Sequence, residues 1–126
     1  MDYQRFLDTV KRLQFIRTEE DADAAIKTVL GILASSINQE QAKKFVSKLP
    51  EPLTIETLRS HQARPLDITI EEFFDEVGAE FKLNPDQAKK LVDTVFRLTK
   101  DAVGEETITE VEFDMPAEVA EELEAA

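Results

Sequence analysis

The stretch Phe6-Leu-Asp-Thr-Val10 recurs in the second half of the chain as Phe73-Phe-Asp-Glu-Val77. Three other pairs recur at a spacing that is shorter by one position: Thr28-Val-Leu30 with Thr94-Val-Phe96, Ile37-Asn38 with Val103-Gly104, and Leu49-Pro50 with Met115-Pro116. One residue deleted between the first and second helices reconciles the two spacings. Because the matches fall on apolar positions and on residues that end helices, they indicate two degenerate copies of one helical unit.

Capping residues predict where several helices begin. Thr69 followed three residues later by Glu72 matches a capping box, and Thr18 followed by Asp21 resembles one. Asn84-Pro85 also predicts a helix start, because Asn caps well and Pro suits the first helical position. The apolar set between Ala22 and Ile37 is the widest of the chain, which is typical of a central helix in contact with several neighbours.

The stretch Ile108–Met115 is ambiguous. Val111, Phe113 and Met115 alternate as they would in a strand, and β-branched residues are enriched there. Thr107 with Glu110 matches a capping box, which favours a helix over 107–115. We predict a helix here, followed by a closing helix with Pro116 in its first turn.

These patterns predict an all-α protein. Two tandem degenerate four-helix repeats, 1–66 and 67–126, are expected to pack as one pseudo-twofold helical bundle. A unit of about sixty residues barely sustains a core of its own. We therefore expect one compact helical domain over residues 1–126 rather than two independent bundles.

The sequence resembles the family catalogued as domain of unknown function 2267. The resemblance rests on Tyr3-x-x-Phe6-Leu7-x-x-Val10, on the Leu49-Pro50-Glu51 ending of the first unit, and on the second unit from Phe73 to Met115-Pro116. It covers nearly the whole chain and implies a bacterial, helical, duplicated protein with no assigned activity. The stretch Thr107–Asp114 departs from the family pattern in its number of β-branched residues.

Charge and composition exclude several classes of function. The net charge is −12, with +1 on residues 1–66 and −13 on residues 67–126. This balance argues against nucleic acid and anionic membranes as partners, because phosphate groups are bound by basic surfaces. The chain has no cysteine, so disulfides and thiolate metal sites are impossible. Its N-terminus has no apolar run of signal-peptide length, and we expect a cytoplasmic protein.

Candidate chemical sites are weak. His61, the single histidine, has no partner residues for a zinc site and lies in a polar connection. The acids at Glu19–Asp23 lack the glycine of a calcium loop and are better explained as the first turn of a helix. Acids between Glu71 and Glu80 are interpreted as a solvated helix face. We accordingly assign no catalytic, cofactor-binding or metal-binding residue, and expect no cofactor.

Two functions fit this sequence. The first is a non-enzymatic protein–protein interaction module that binds a protein partner or associates with itself, since the bases at Lys43, Lys44 and Lys48 would complement the acidic second half of another copy. The alternative is a small-ligand-binding helical bundle with an apolar pocket between the repeats, lined by Phe73, Phe74 and Phe96. An enzyme that uses the surface carboxylates is a third hypothesis.

Overall fold

The computed structural model describes residues 2–59 and 68–126 of the chain. Within these ranges the fold consists of eight α-helices and contains no strand. The helices are α1 (Tyr3–Lys11), α2 (Glu19–Ser35), α3 (Gln39–Val46), α4 (Ile55–Arg59), α5 (Ile70–Phe81), α6 (Pro85–Val103), α7 (Glu105–Glu112) and α8 (Ala117–Ala125). The all-helical fold class predicted from the sequence is confirmed.

Helix starts follow the capping residues. Asp2, Thr18, Asn38, Thr69 and Asn84 each accept a hydrogen bond from the backbone N–H three residues further on. The capping box predicted at the start of α5 is reciprocal, and α6 has a second reciprocal box. These side chains satisfy backbone donors that would otherwise lack a partner, which stabilises a helix by about 1 kcal/mol each.

The ambiguous stretch before the last helix is helical, but its predicted start is wrong. α7 begins at Glu105, directly after Gly104, whose φ of 85° and ψ of 158° turn the chain sharply out of α6. Thr107 therefore lies inside the helix and is buried, instead of capping it. Thr107, Ile108 and Val111 face the core at helical spacing, and this spacing explains the β-branched residues better than strand alternation does.

Helix α2 lies at the centre of the structure, as the width of its apolar set predicts. All residues from Thr28 to Ser35 are buried, and α2 contacts α1, α3, α4, α5 and α6. The hydroxyl groups of Ser35 and Ser36 donate to the carbonyl oxygens of Ile32 and Leu33, so these buried polar groups are satisfied locally.

Helices from both halves of the sequence enclose one hydrophobic core. α6 contacts α1 and α2 from the first half, and α3 contacts α7. Phe6, Phe45, Phe73 and Phe96 are all fully buried in this core. Phe73 and Phe96 meet edge to face, with ring centres 5.6 Å apart, which is a preferred geometry for aromatic pairs.

Candidate functional site

Phe113 is the one large apolar side chain that is exposed among residues 2–59 and 68–126, with 89% of its surface accessible. It follows α7 directly, at the start of the turn that leads to Pro116. Val111 and Met115, two residues before and after it, are buried and anchor this turn in the core. The exposed ring is thus held on a fixed segment, and aromatic residues are enriched where one protein contacts another.

The segment around Phe113, residues 110–114, which comprises the end of α7 and the start of the turn, is acidic and is attached to α3. A carboxylate oxygen of Asp114 accepts a hydrogen bond from the backbone N–H of Asn38, at a distance of 2.5 Å. Lys44 Nζ donates to Glu110 Oε2 at 2.9 Å. Both contacts join the two halves of the sequence, so α3 as well as α7 fixes the position of Phe113.

A small apolar cavity lies between the end of α3 and the start of α4, and we call it the α3–α4 cavity. Its volume is about 280 Å³, and its apolar lining consists of Val46, Leu49, Leu53 and Ile55. Lys43 and Ser47 also line it and are exposed. The cavity is open to solvent, and its volume is sufficient for a single aromatic ring.

A second, larger cleft lies between α1 and α6 and has a volume of about 640 Å³. Three of the six arginines of the chain line it: Arg5 and Arg12 from α1 and its C-terminal cap, and Arg97 from α6. Leu98 contributes an apolar floor, since it is only 3% exposed. Asp2, Asp8 and Asp101 also line this arginine cleft, so its formal charge is balanced in a protein that is strongly acidic overall.

A carboxyl pair attaches α8 to α6. Lys89 Nζ donates to Asp93 Oδ2 at 3.1 Å and to Glu122 Oε2 at 2.6 Å, and it lies 5.7 Å from the centre of the Phe74 ring. Burial, and then a hydrogen bond with Glu122, raise the pKa of Asp93 to about 6. The hydrogen bond from Asp93 lowers the pKa of Glu122. Asp93 Oδ1 is buried without a hydrogen-bond partner among the described residues.

A second carboxyl pair attaches α8 to α7. Burial, and then a hydrogen bond with Glu124, raise the pKa of Glu112 to about 7, while Lys100 opposes this rise. Lys100 Nζ also donates to the backbone carbonyl oxygen of Glu124 at 3.1 Å. A cavity of about 610 Å³ beside this pair is mostly acidic and is lined by Lys100, Asp101, Glu105, Glu106, Ile108, Thr109 and Glu124. Both pairs join helices, which gives them a structural role.

Comparison with known proteins identifies a family. The family model of the uncharacterized conserved proteins DUF2267 matches residues 3–122. The chain belongs to DUF2267. This confirms the resemblance that the sequence suggested. No curated protein and no solved structure matches the chain significantly. The description of the DUF2267 family names no activity. A proposal about function therefore rests on the surfaces described above.

In this DUF2267 protein the acids at the start of α2 have ordinary helical roles. Glu19, Glu20 and Asp21 form the first turn, where negative charge is favourable against the helix dipole. Asp23 accepts a hydrogen bond from the Tyr3 hydroxyl at 2.5 Å and pairs with Lys27 at 2.9 Å. Burial, and then this hydrogen bond, raise the pKa of Tyr3. Over the two described ranges, no group of three or more His, Cys, Asp or Glu residues is arranged to hold a metal ion.

The other residues singled out from the sequence are dispersed in this member of DUF2267. The acids between Glu71 and Glu80 lie on α5, all of them exposed except the half-buried Glu76, and line none of the three cavities described above. Phe73 and Phe96 fill the core against each other, and Phe74 lies under Lys89. His61 lies outside the described residues. No helix within 2–59 and 68–126 combines the length and apolar content needed to cross a bilayer.

The arginine cleft and both carboxyl pairs of this DUF2267 protein are not apparent from its sequence. Arg5 and Arg12 are seven residues apart, and this spacing predicts that they share a helix face. Their convergence with Arg97 depends on the packing of α1 on α6, which no local pattern indicates. The spacing of Lys89 and Asp93 predicts a helical ion pair, but nothing local indicates that Glu122 joins it.

Proposed function

We propose that the protein is a non-enzymatic protein–protein interaction module whose partner is a second copy of the same chain. In this proposal, Phe113 of one copy inserts into the α3–α4 cavity of the other. The observation that carries the proposal is the exposure of Phe113 on an anchored turn, together with a cavity of matching size on the same protein.

The proposal includes a duplicated scaffold, two four-helix repeats related by a pseudo-twofold axis. Its support is that the starts of α1 and α5 are separated by the same spacing as Phe6 and Phe73. The starts of α2 and α6, and also those of α3 and α7, have the spacing of Thr28 and Thr94, which is shorter by one position. The fourth helices depart from the pattern, since α8 begins four positions earlier than the start of α4 predicts.

The contacts between helices agree with this arrangement. α1 packs on α2 as α5 packs on α6, and α1 contacts α6 as α5 contacts α2. In addition, α2 contacts α6 and α3 contacts α7, which is expected of corresponding elements beside a twofold axis.

The anchor and the cavity have corresponding places in the two repeats. Lys44 and Glu110, which form an ion pair, are separated by the same spacing as Thr28 and Thr94. Ser47, at the rim of the cavity, precedes Phe113 by this spacing as well. In an isologous dimer each copy presents the same surface to the other, so the Phe113 side chains of both copies would be docked at once.

Charge favours a second copy as the occupant. Phe113 is flanked by the exposed carboxylates of Glu110 and Asp114. The charged residues that line the α3–α4 cavity are Lys43 and Glu51, both exposed, and Lys43 has no ion pair with any described residue. Insertion of Phe113 would bring the acidic segment of one copy near Lys43 of the other. Such complementarity steers association and fixes its register, and it weakens with added salt.

Sedimentation velocity of the full chain tests the proposal. We expect a concentration-dependent dimer that dissociates more readily at 500 mM than at 50 mM NaCl. Burial of one Phe side chain contributes about 1.5–3 kcal/mol, so Phe113→Ser, which removes two such contacts, should raise the dimer Kd by about a hundredfold or more. Phe113→Leu keeps an apolar anchor and should retain most of the dimer.

Two further variants separate docking from a general effect on folding. Lys43→Glu should weaken the dimer by reversing a charge at the rim, whereas Glu71→Lys, a reversal on the exposed face of α5, should leave it unchanged. Because Phe113 is exposed in the single copy, its variants should keep the wild-type unfolding midpoint in urea at protein concentrations below the dimer Kd, where dimer formation adds no stability. A wild-type chain that remains monomeric at both salt concentrations up to millimolar protein would refute self-association.

A further inference from the structure

We infer that the arginine cleft between α1 and α6 binds a small molecule that carries a phosphate or carboxylate group. This inference is independent of self-association. It starts from the meeting of Arg5, Arg12 and Arg97 in one cleft of about 640 Å³. Ligand sites in proteins commonly have volumes of roughly 300–1,000 Å³, so the cleft is large enough for a metabolite.

The three guanidinium groups are available. None of these arginines forms an ion pair with a described residue. Two of the acids in the same cleft are already engaged. Asp2 accepts from the backbone N–H of Arg5 as the helix cap, and Asp8 accepts from Gln4 Nε2 at 2.9 Å. Both keep their negative charge, so an incoming oxyanion meets three cations that lack an ion pair with a described residue, together with the three carboxylates of the cleft.

Arginine at these positions specifies the chemistry of the ligand. A guanidinium presents donors in a planar fork that matches the two oxygens of a carboxylate or phosphate, and paired contacts of this kind are stronger than neutral hydrogen bonds. Two arginines come from α1 and its cap and one from α6, so they reach the cleft from two directions. The carboxylate of Asp101 lines the same cleft and suits a hydroxyl or amine elsewhere on the ligand.

The scaffold does not need arginine at these places. The repeat spacing pairs Arg5 with Glu72, Arg12 with Ala79, and Arg97 with Gly31. The corresponding groove, where α5 contacts α2, therefore has an acid, a methyl group and a glycine instead of three bases. The first helix of one unit packs on the second helix of the other unit in both places, with the three arginines in one groove and without them in the other. The arginines are thus an addition to this side of the molecule, which is expected of a binding site and not of a structural requirement.

Titration of the ¹⁵N-labelled full chain followed by NMR tests the inference, with pyrophosphate and citrate as probes and NaCl at matched ionic strength as the reference. We expect saturable shifts at the backbone amides of residues 4–12 and 97–101. Arg97→Gln and Arg12→Gln should each weaken binding roughly tenfold to a hundredfold, because a charge-assisted contact is lost. Arg17→Gln removes the same charge outside the cleft and should bind as the wild type does.

The two probes also distinguish the ligand classes. Tighter binding of pyrophosphate assigns the cleft to phosphate esters, and tighter binding of citrate assigns it to polycarboxylates; either result supports the site. The inference is overturned if neither probe gives saturable shifts beyond those of NaCl, or if Arg17→Gln weakens binding as much as Arg97→Gln does. Repeating the titration on Phe113→Ser separates this site from self-association, because its result does not depend on the dimer.

Discussion

Replacement of Glu112 by Gln should remove much of the fall in folding stability between pH 5 and pH 7. Burial and the hydrogen bond with Glu124 raise the pKa of Glu112 from an ordinary value of 4.5 to about 7. The folded protein therefore keeps a proton on Glu112 in a range where the unfolded chain has released it. Because the folded state then binds more protons, stability must fall as pH rises from about 4.5 to about 7, and the loss is complete above it.

The magnitude follows from the size of this pKa difference. For a fully desolvated carboxyl it corresponds to about 3 kcal/mol, and solvent screening at the half-buried Glu112 reduces it to about 1 kcal/mol. Gln has the shape of the protonated acid, and its amide can donate to Glu124 at every pH. Glu112→Gln should therefore be more stable than the wild type by about 1 kcal/mol at pH 8 and equal to it at pH 5.

Urea unfolding followed by circular dichroism at pH 5, 6.5 and 8 measures this difference. Glu121→Gln is the matched control, because it removes one carboxylate from an exposed position on α8 and should not change the slope of stability against pH. The pair of Asp93 and Glu122 also titrates in this range, since the pKa of Asp93 is about 6, but it is unaltered in Glu112→Gln and contributes equally to both proteins. A fall in stability between pH 5 and pH 8 that is as large in Glu112→Gln as in the wild type would refute the assignment of this titration to Glu112.

Three further substitutions test the scaffold by urea unfolding at pH 7. Phe96→Ala should cost about 3–5 kcal/mol, because it opens a cavity beside a fully buried Phe73; a cost below about 1 kcal/mol would contradict this packing. Gly104→Ala should cost about 1–3 kcal/mol, because a φ of 85° with a ψ of 158° is essentially restricted to glycine. Thr69→Ala should cost about 1 kcal/mol by removing the cap of α5, whereas Thr69→Ser should be nearly neutral.

The sequence predicts the helices of this fold where their determinants are local. The cap Thr69 and its partner Glu72 are three residues apart, so the start of α5 can be predicted without tertiary structure. α7 shows the limit of this reasoning. Thr107 and Glu110 have the spacing of a capping box, yet Gly104 turns the chain so early that the helix begins before Thr107 can cap it. A positive φ at a glycine is a backbone property that side-chain patterns do not reveal.

The candidate sites are less predictable, because each is formed by residues distant in sequence. The arginine cleft brings Arg12 beside Arg97, and the second carboxyl pair brings Glu112 beside Glu124. These meetings depend on which helices pack together. The apolar pattern of the sequence includes Phe113 with its buried neighbours. Its exposure follows from the end of the helix at Glu112, which takes the next side chain out of the buried stripe.

The proposed duplication would explain why binding surfaces arise where they do. The repeats match at apolar positions, and a change there costs several kcal/mol through cavities or overpacking. Exposed positions carry no such cost, so two copies of one unit could diverge there, and the two halves have net charges of +1 and −13. Ser47 and Phe113, both exposed, are separated by the repeat spacing and form such a pair. A Phe ring at position 47, in the lining of the α3–α4 cavity, would occupy the space that Phe113 of the other copy needs. Ser47→Phe should therefore dissociate the dimer without lowering the unfolding midpoint in urea measured below the dimer Kd, whereas a dimer that persists in Ser47→Phe would contradict docking at that cavity.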